Sequence, residues 1–256
     1  MINLVSSTSD AASVNMRKYI EKYADKTRFR IISCDSNLDY AEQFSDAELD
    51  LFLSKHQSEK GVKSLSCHTP GNFGPAKFGG TMGTLSVSNA KIQSECLRRL
   101  CKLNNDNSMG FEITLEVTHH GPSINTPSLF VEVGSSEEQW NDNSTCSHVA
   151  SLVLNMVNDY EKIMAEEKIV CIGFGGPHYA PNFTRKLVSD NSLAIGHICP
   201  EYAFTYLTRE IFNEMINKTV PRPKLVLIDW KGSKKDMRDK IISWSGEVGI
   251  KVDRIK

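Results

Sequence analysis

The sequence has no apolar run that approaches the length of about 18 residues which a membrane helix requires. Its first residues, Met1 to Val5, lack the basic region and long apolar stretch of a signal peptide and are expected to form a β-strand. No C-x-x-C pair is present, which excludes zinc fingers and thioredoxin-like motifs. The seven cysteines are scattered, which is typical of reduced thiols in the cytosol. We therefore expect a cytoplasmic protein without membrane contacts.

Several well-known catalytic motifs are missing as well. The chain has neither the G-x-G-x-x-G motif of dinucleotide-binding folds nor the Lys-Ser/Thr of a P-loop. It has no G-x-S-x-G elbow, which disfavours a serine hydrolase. The H-E-x-x-H motif is also absent, and that metalloprotease class is disfavoured in turn.

Net charge is low but unevenly distributed. The formal charge of −1 argues against a general nucleic-acid binder, and we expect no DNA partner. Residues 218–256 contain 11 Lys and Arg against 5 Asp and Glu, a net of +6 that leaves −7 for the remainder. This segment is either a basic face for a polyanion or a solvated helix face. On charge alone, the solvated face is the better interpretation.

Apolar runs alternate with helical patterns along the 256 residues, and the length suits one α/β domain over 1–256. The predicted strands are 2–6, 29–34, 49–54, 111–118, 128–134, 168–174, 192–197 and 224–229. The predicted helices are 10–24, 88–103, 144–164, 200–217 and 233–244. This alternation predicts a mostly parallel or mixed central sheet flanked by helices. Residues 55–87 are rich in glycine and are expected to form a long functional loop.

Five of the seven histidines fall at or just beyond the carboxyl end of a predicted strand. These five are His56, His119, His120, His178 and His197. Ligands of open parallel sheets bind at that edge, so these imidazoles are expected to meet in one site. His68 lies in the long loop and is a reserve candidate with Glu201, whereas His148 falls inside a helix and is interpreted as structural. Cys67 and Cys199 are weaker alternative ligands.

Two further features belong to the predicted site. His119 and His120 are adjacent, so they can share a ligand only if the chain bends, and Gly121-Pro122 supplies such a bend. Glu132 interrupts an otherwise apolar strand, where a carboxylate is costly unless it is paired or bound to a metal. It is either a ligand, a partner of a histidine or a general base, or else an edge-strand residue that faces water.

Two segments offer backbone amides to a ligand. The turn from Gly173 to Tyr179 contains Gly175 and Gly176, which either allow close approach of a ligand or simply form a tight turn. The segment Gly134-Ser135-Ser136 opens a predicted helix, and its amides are candidates for binding a phosphate or carboxylate.

Taken together, these motifs resemble those of the archaeal and plant-type D-aminoacyl-tRNA deacylases. The matching segments, in order, are 54–58 with 64–72, 116–122, 130–135 with Trp140, 173–181, 196–200 and 229–232. They span nearly the whole chain. Phe174 departs from the pattern, where a smaller or aliphatic residue is expected.

The resemblance implies an ester hydrolase that releases a D-amino acid from the acceptor end of tRNA. It also implies a zinc cofactor and a core similar to peptidyl-tRNA hydrolase and nucleoside phosphorylases, while no individual zinc ligand is transferred from the family. Bound zinc would activate a water molecule and polarise the ester carbonyl.

Our hypothesis divides the candidate residues by role, and we expect a monomer. The metal ligands are His56, His178, His68 and His197, and the catalytic residues are His119, His120, Glu132 and Thr118. The substrate-binding residues are Gly175, Gly176, Tyr179, Ser135 and Lys231. Tyr179 is expected to stack on the terminal adenosine, and Lys231, Lys234, Lys235 and Arg238 are expected to hold tRNA phosphates.

Three alternatives remain open. Histidines alone can act as acid and base near neutral pH, without a metal. A nucleoside-processing enzyme would use the same strand-end pocket for a nucleoside and phosphate. A non-catalytic RNA-binding module is disfavoured by the density of histidines.

Overall fold

Strands and helices alternate along the computed structural model, which describes residues 1–23, 27–44, 46–59 and 61–255. The strands are β1 Ile2–Ser7, β2 Phe29–Cys34, β3 Leu49–Gln57, β4 Ser64–His68, β5 Ser88–Asn89, β6 Glu112–Leu115, β7 Ser128–Ser135, β8 Ile169–Phe174, β9 Leu193–Cys199, β10 Thr219–Val220, β11 Leu225–Asp229 and β12 Lys251–Ile255. The helices are α1 Ala11–Tyr23, α2 Ala90–Asp106, α3 Glu137–Trp140, α4 Asn143–Asn158, α5 Tyr160–Ala165, α6 Pro181–Ser189, α7 Arg209–Asn217 and α8 Lys235–Glu247. Two 3₁₀ helices cover Leu38–Tyr40 and Glu201–Tyr206.

The strands form two main sheets. The larger has six strands in the order β2-β1-β3-β7-β4-β6, and the smaller has four in the order β12-β11-β8-β9. All neighbours in both sheets are parallel except β4 and β7, which are antiparallel. Strands β5 and β10 form a separate parallel pair. The predicted α/β class with a mostly parallel sheet is confirmed, whereas the core similar to peptidyl-tRNA hydrolase stays a prediction.

Helix α2 connects the two sheets. The largest apolar core includes residues of both sheets, such as Leu65 and Ile195, together with Leu97 of α2. Gln93 of α2 is buried, and its amide donates to the carbonyls of Ile195 at 3.1 Å and Gly196 at 2.8 Å. Its amide oxygen accepts from the Thr69 hydroxyl at 2.8 Å. The single-domain interpretation stays a prediction, which this shared core favours.

The sequence predicts a long loop over residues 55–87, but the structure contains strand residues in this segment. Strand β3 extends to Gln57, and β4 is inserted between β7 and β6 as the one antiparallel neighbour in the described sheets. Strand β4 was missed because it has only five residues and lies in a segment rich in glycine, although its sequence, SLSCH, alternates polar and apolar residues and all five are buried. Strand β12 was also missed, in a segment where charged residues dominate.

Two predicted helices are interrupted. The helix expected over 144–164 breaks at Asp159, which ends α4 and precedes α5. The helix expected over 200–217 is a 3₁₀ helix followed by α7, which begins anew where the Thr208 hydroxyl accepts from the amide of Ile211. Residue 24, the predicted end of the first helix, lies outside the described residues. Within the described ranges, no helix combines the length and apolarity needed to cross a membrane.

The buried hydrogen bonds of Gln93 provide a test of how the sheets are connected. We expect Gln93→Ala to lower the free energy of unfolding by about 1–3 kcal/mol, because it removes three buried hydrogen bonds, those to the carbonyls of Ile195 and Gly196 and that from the Thr69 hydroxyl. Chemical denaturation measures the change. Gln57→Ala, at an exposed position, is the matched control and should be close to neutral. Equal effects of the two substitutions would contradict this role for Gln93.

Candidate active site

A pocket of about 450 Å³ lies beside the larger sheet, lined by residues within β3 and β7 and by the segments that follow β1, β2, β6 and β8. We call it the histidine pocket. Its lining includes His56, His119, His120, His178, Tyr179, Glu116, Glu132, Asp10 and Asp39. The four histidines that were expected to meet from distant parts of the chain therefore share one cavity.

Glu116 is the centre of the polar contacts in this pocket. It follows β6 directly and is 2% exposed. Its Oε2 accepts a hydrogen bond from His178 Nε2 at 2.8 Å, and the same oxygen lies 3.6 Å from His119 Nε2. Its Oε1 lies 3.5 Å from His56 Nε2. Burial acts to raise the pKa of Glu116, but the hydrogen bond from His178 and the nearby imidazoles outweigh it and hold that pKa well below its usual value.

His119 and His120 are held by backbone carbonyls. His119 Nδ1 donates to the carbonyl of Val117 at 2.8 Å, and His120 Nδ1 donates to that of Gly121 at 2.5 Å. The chain bends at His120, whose φ of 43° is left-handed, so the two adjacent rings face the same pocket with centroids 4.3 Å apart. Burial, reinforced by His68, lowers the pKa of His119 well below normal and that of His120 to about 3. Both rings therefore present an unprotonated Nε2 at neutral pH.

His68 and Glu132 form the floor of the site. His68 ends β4, is completely buried, and finds no hydrogen-bond partner for either ring nitrogen among the described residues. Its Nε2 lies 3.9 Å from Glu132 Oε1, and Ser66 donates to Oε2 of the same carboxylate at 3.3 Å. Burial alone would lower the pKa of His68, but Glu132 raises it overall. Since β7 lies between β3 and β4, the interpretation of Glu132 as an edge-strand residue facing water is wrong.

His56 lies within β3 and contacts two buried serines. Its Nδ1 is 3.0 Å from the Ser135 hydroxyl and 3.1 Å from the Ser64 hydroxyl. Ser135 Oγ donates to the carbonyl of Val62 at 2.6 Å, so it is available to His56 only as an acceptor. On its other side, His56 Nε2 is 3.4 Å from the Tyr179 hydroxyl. The ring of His56 is thus held on both sides by hydroxyl groups, those of Ser64 and Ser135 at Nδ1 and that of Tyr179 at Nε2.

The backbone around His56 leaves no space for a larger neighbour. Gly134 pairs with His56 across β3 and β7, and a Cβ at Gly134 would lie 2.7 Å from His56 Cβ and 2.8 Å from His56 Nδ1. The indole of Trp140 donates to the carbonyl of His56 at 2.9 Å. The glycine and the tryptophan of the same motif therefore position one histidine.

His197 and Thr118 contact each other away from the histidine pocket. His197 lies within β9, which continues to Cys199, and it is fully buried. Its Nδ1 is 3.1 Å from Thr118 Oγ1, which also accepts from the amide of Ile198 at 3.2 Å. Burial lowers the pKa of His197 to about 3. The structure does not bring His197 to the other predicted ligands, and its role as a metal ligand stays a prediction.

Gly175 and Gly176, in the turn after β8, pack against other parts of the protein and do not face an open cavity. Gly175 donates to the carbonyl of Cys199 at 2.8 Å and Gly176 to that of Gly232 at 2.9 Å. A Cβ at Gly175 would lie 2.1 Å from Ser233 Oγ. Geometry therefore favours the tight-turn interpretation, although substrate binding by Gly175 and Gly176 stays a prediction. Lys231 is exposed in the adjoining loop.

The amides that open α3 are also engaged. The amides of Ser135 and Ser136 both donate to Gln139 Oε1 at 3.1 Å, which completes a capping box. They are therefore committed to the helix start, and Ser135 reaches the site through its hydroxyl.

Sequence reasoning missed three acidic residues of the pocket, Asp10, Asp39 and Glu116. Glu116 belongs to one of the matching motifs but has no predicted role, and Asp10 and Asp39 lie outside those motifs. Asp39 Oδ1 lies 3.5 Å from His120 Nδ1, and burial followed by the charge of Glu132 raises the pKa of Asp39 to about 6. An acidic residue directly before a histidine motif was the only available signal for Glu116. None existed for Asp39, which lies in a distant 3₁₀ helix.

Three overlapping groups of side chains offer ligand atoms within 4.8 Å of one another. They are His68 with His119 and His120, Glu116 with His119 and His178, and His68 with Glu116 and Glu132. Nitrogen and carboxylate donors of this kind suit zinc, and the unpartnered nitrogens of His68 and Oε1 of Glu116 fit such a role. In the described ranges these groups include no cysteine, and His56 and His197 are outside them.

Known proteins with similar sequences, and one with a similar structure, indicate the family of this chain. A family model described as D-aminoacyl-tRNA deacylase matches residues 43–253. A D-aminoacyl-tRNA deacylase of Methanococcus maripaludis is 34% identical over 98% of both chains, and one of Thermococcus kodakarensis is 35% identical over 81% of this chain and 74% of its own. A crystal structure described as a conserved protein of unknown function has a TM-score of 0.89 at 29% identity, covering 99% of this chain and 95% of its own.

An α/β fold that gathers histidines around a buried carboxylate in one pocket has the features of a hydrolase of the histidine or metal type. The family can be stated more specifically from the matches. The chain belongs to the D-aminoacyl-tRNA deacylase family, and the resemblance identified from its motifs is confirmed.

The close approach of Gly134 to His56 predicts a strong local effect. We expect Gly134→Ala to destabilise the fold by about 1–3 kcal/mol, because the added methyl group overlaps both the backbone and the ring of His56. Gly246→Ala is the matched control, since Gly246 lies in α8 with nothing within 4 Å of the added Cβ. That control should gain up to about 1 kcal/mol from helix propensity. Thermal unfolding of both variants measures the difference, and a neutral Gly134→Ala would refute the predicted overlap.

Proposed function

We propose that the chain hydrolyses the ester bond between a D-amino acid and tRNA, releasing the free amino acid and the tRNA. Membership of the family supports this activity, and the carboxylate of Glu116 surrounded by three imidazoles is the observation that carries it. Ester hydrolysis requires a base that takes a proton from water and donors that stabilise charge on the carbonyl oxygen. The histidine pocket contains groups for both tasks.

His178 is our candidate for the general base. Its Nε2 donates to Glu116, which leaves Nδ1 as the acceptor nitrogen. The side chain is 34% exposed, so water and substrate can reach it. A buried carboxylate that holds one ring nitrogen fixes the tautomer and stabilises the imidazolium formed after proton transfer. Glu116 is therefore a positioning residue in this proposal, and His178 is removed from the set of metal ligands predicted from sequence.

His68, His119 and His120 are the residues that would hold zinc. Their atoms lie close together, His119 and His120 have free Nε2 atoms, and the buried nitrogens of His68 lack other partners among the described residues. Zinc bound there would act as a Lewis acid toward the ester carbonyl and lower the pKa of a bound water. Glu132 beside His68 would fix the ring of that histidine.

The substrate end of tRNA has to approach next to the turn after β8. The carbonyl of Gly232 accepts from Gly176, which places the loop bearing Lys231 beside His178. Lys231, Lys234 and Lys235 are exposed within the basic C-terminal segment, where Lys234 lies 3.9 Å from Glu201, and they are candidates to contact phosphates. A monomeric, cytoplasmic enzyme acting on the acceptor end remains part of the proposal.

Removing the charge of Glu116 tests the central contact. We expect Glu116→Gln to lower kcat on D-aminoacyl-tRNA by about 100-fold or more, with little change in KM, because His178 loses its orienting carboxylate. Glu138→Gln, on the exposed face of α3, is the control. The wild-type chain should hydrolyse D-aminoacyl-tRNA in preference to L-aminoacyl-tRNA. Turnover of free nucleosides instead would favour the nucleoside-processing alternative.

Metal removal tests the zinc part separately. Chelation should abolish activity, and zinc added back should restore it. His68→Ala should lower the zinc content of the purified protein, because it removes a buried ligand, whereas His148→Ala in α4 should not. Full activity after complete metal removal would leave the histidines as the sole acid and base.

A further inference from the structure

A second cavity shares His119, His120 and His178 with the histidine pocket. It has a volume of about 370 Å³ and is mainly apolar, and we call it the aromatic slot. Its walls include Phe73, Lys77, Phe78, Tyr202 and Tyr206, and it ends at His119, His120 and His178. Pockets for small ligands have volumes of about 300–1,000 Å³, so one nucleoside-sized group fits.

The walls of the slot are aromatic rings left open to solvent. Phe78 is 65% exposed, Tyr202 is 56% exposed and Tyr206 is 45% exposed. Gly74 lies directly against the ring of Tyr206, since a Cβ there would be 2.5 Å from Tyr206 Cδ2. The glycine-rich loop and the 3₁₀ helix Glu201–Tyr206 thus form the two walls of a gap. Exposed rings that line a gap are typical of sites where a base stacks.

Charge separates this slot from the histidine pocket. Four carboxylates line the histidine pocket, those of Asp10, Asp39, Glu116 and Glu132. The aromatic slot has no carboxylate among its described lining residues and has one exposed lysine, Lys77. An aminoacyl ester carries an amino group on one side of its carbonyl and a ribose with phosphates on the other. The acidic pocket attracts the amino group and repels phosphates, whereas the slot does neither.

We propose that the aromatic slot binds the terminal adenosine of tRNA, with the aminoacyl group directed into the acidic histidine pocket. This inference rests on the proposed function. The ester carbonyl then lies at the histidines that both cavities share, and the substrate has one orientation. Tyr202 is at the junction, because its hydroxyl is 3.4 Å from His178 Nδ1. Stacking on the adenosine is therefore assigned to the slot and not to Tyr179, which packs edge-on against His178 at 4.9 Å.

The test measures hydrolysis of D-tyrosyl-tRNA and D-alanyl-tRNA together with binding of adenosine monophosphate. We expect Tyr206→Ala to raise KM about tenfold for both substrates alike, with kcat unchanged, because it removes a stacking surface that belongs to the slot and not to the histidine pocket. Affinity for adenosine monophosphate should fall by a similar factor. Tyr206→Phe keeps the ring and should reverse most of the rise in KM that Tyr206→Ala causes. Met82→Ala changes an exposed side chain of the same loop outside the slot and is the control that should leave KM unaltered. Thermal unfolding confirms that the variants are folded.

Two results would overturn the proposal. A rise in KM for D-tyrosyl-tRNA but not for D-alanyl-tRNA, with unchanged binding of adenosine monophosphate, would show that the slot holds the amino-acid side chain. Unchanged KM for both substrates would show that the slot holds neither group. Absence of hydrolysis by the wild-type chain would instead refute the proposed function, and binding of adenosine monophosphate followed by NMR would still report on the slot.

Discussion

A buried carboxylate is the constraint on which the site depends. Glu116 is almost completely removed from water, and an isolated ionised group in that position would cost several kcal/mol. The hydrogen bond that His178 Nε2 donates to Glu116 Oε2 helps to offset this cost, and His56 and His119 face the same carboxylate. The carboxylate therefore contacts three separate segments of the chain. The proposed chemistry and the fold depend on the same contacts.

The surrounding backbone fixes these rings before any ligand arrives. Carbonyls hold Nδ1 of His119 and of His120, and the indole of Trp140 holds the backbone of His56. Each contact leaves the Nε2 of that ring directed into the pocket. Low pKa values of His119 and His120, caused first by burial, keep those nitrogens unprotonated. A preorganised set of acceptors of this kind requires little rearrangement when a water molecule or a metal ion binds.

Part of this arrangement could be predicted from sequence. Strand-end histidines beside glycine-rich turns indicated a shared site, and four of them do line one pocket. The reason given from sequence, that parallel strands bring their carboxyl ends together, does not explain it, because β6 runs antiparallel to β3 and β8 belongs to the smaller sheet. The insertion of β4 could not be predicted, since the alternation in SLSCH is short and does not indicate that the strand pairs between β7 and β6, antiparallel to β7. That insertion places His68 in the site and makes Glu132 a central residue. The contribution of Asp39 could not be predicted either, because only tertiary packing brings its 3₁₀ helix to His120.

Two fully buried histidines show why residue type and position are insufficient. His197 lies within a strand, contacts the hydroxyl of Thr118, and has a pKa lowered to about 3 by burial. His68 ends a strand and is equally buried, yet Glu132 raises its pKa. The difference is the neighbouring carboxylate, which lies opposite β4 only because β4 and β7 are antiparallel in this register. The charge state of a buried histidine in this fold therefore depends on the strand paired beside it, and strand pairing follows from the complete chain and not from the local motif.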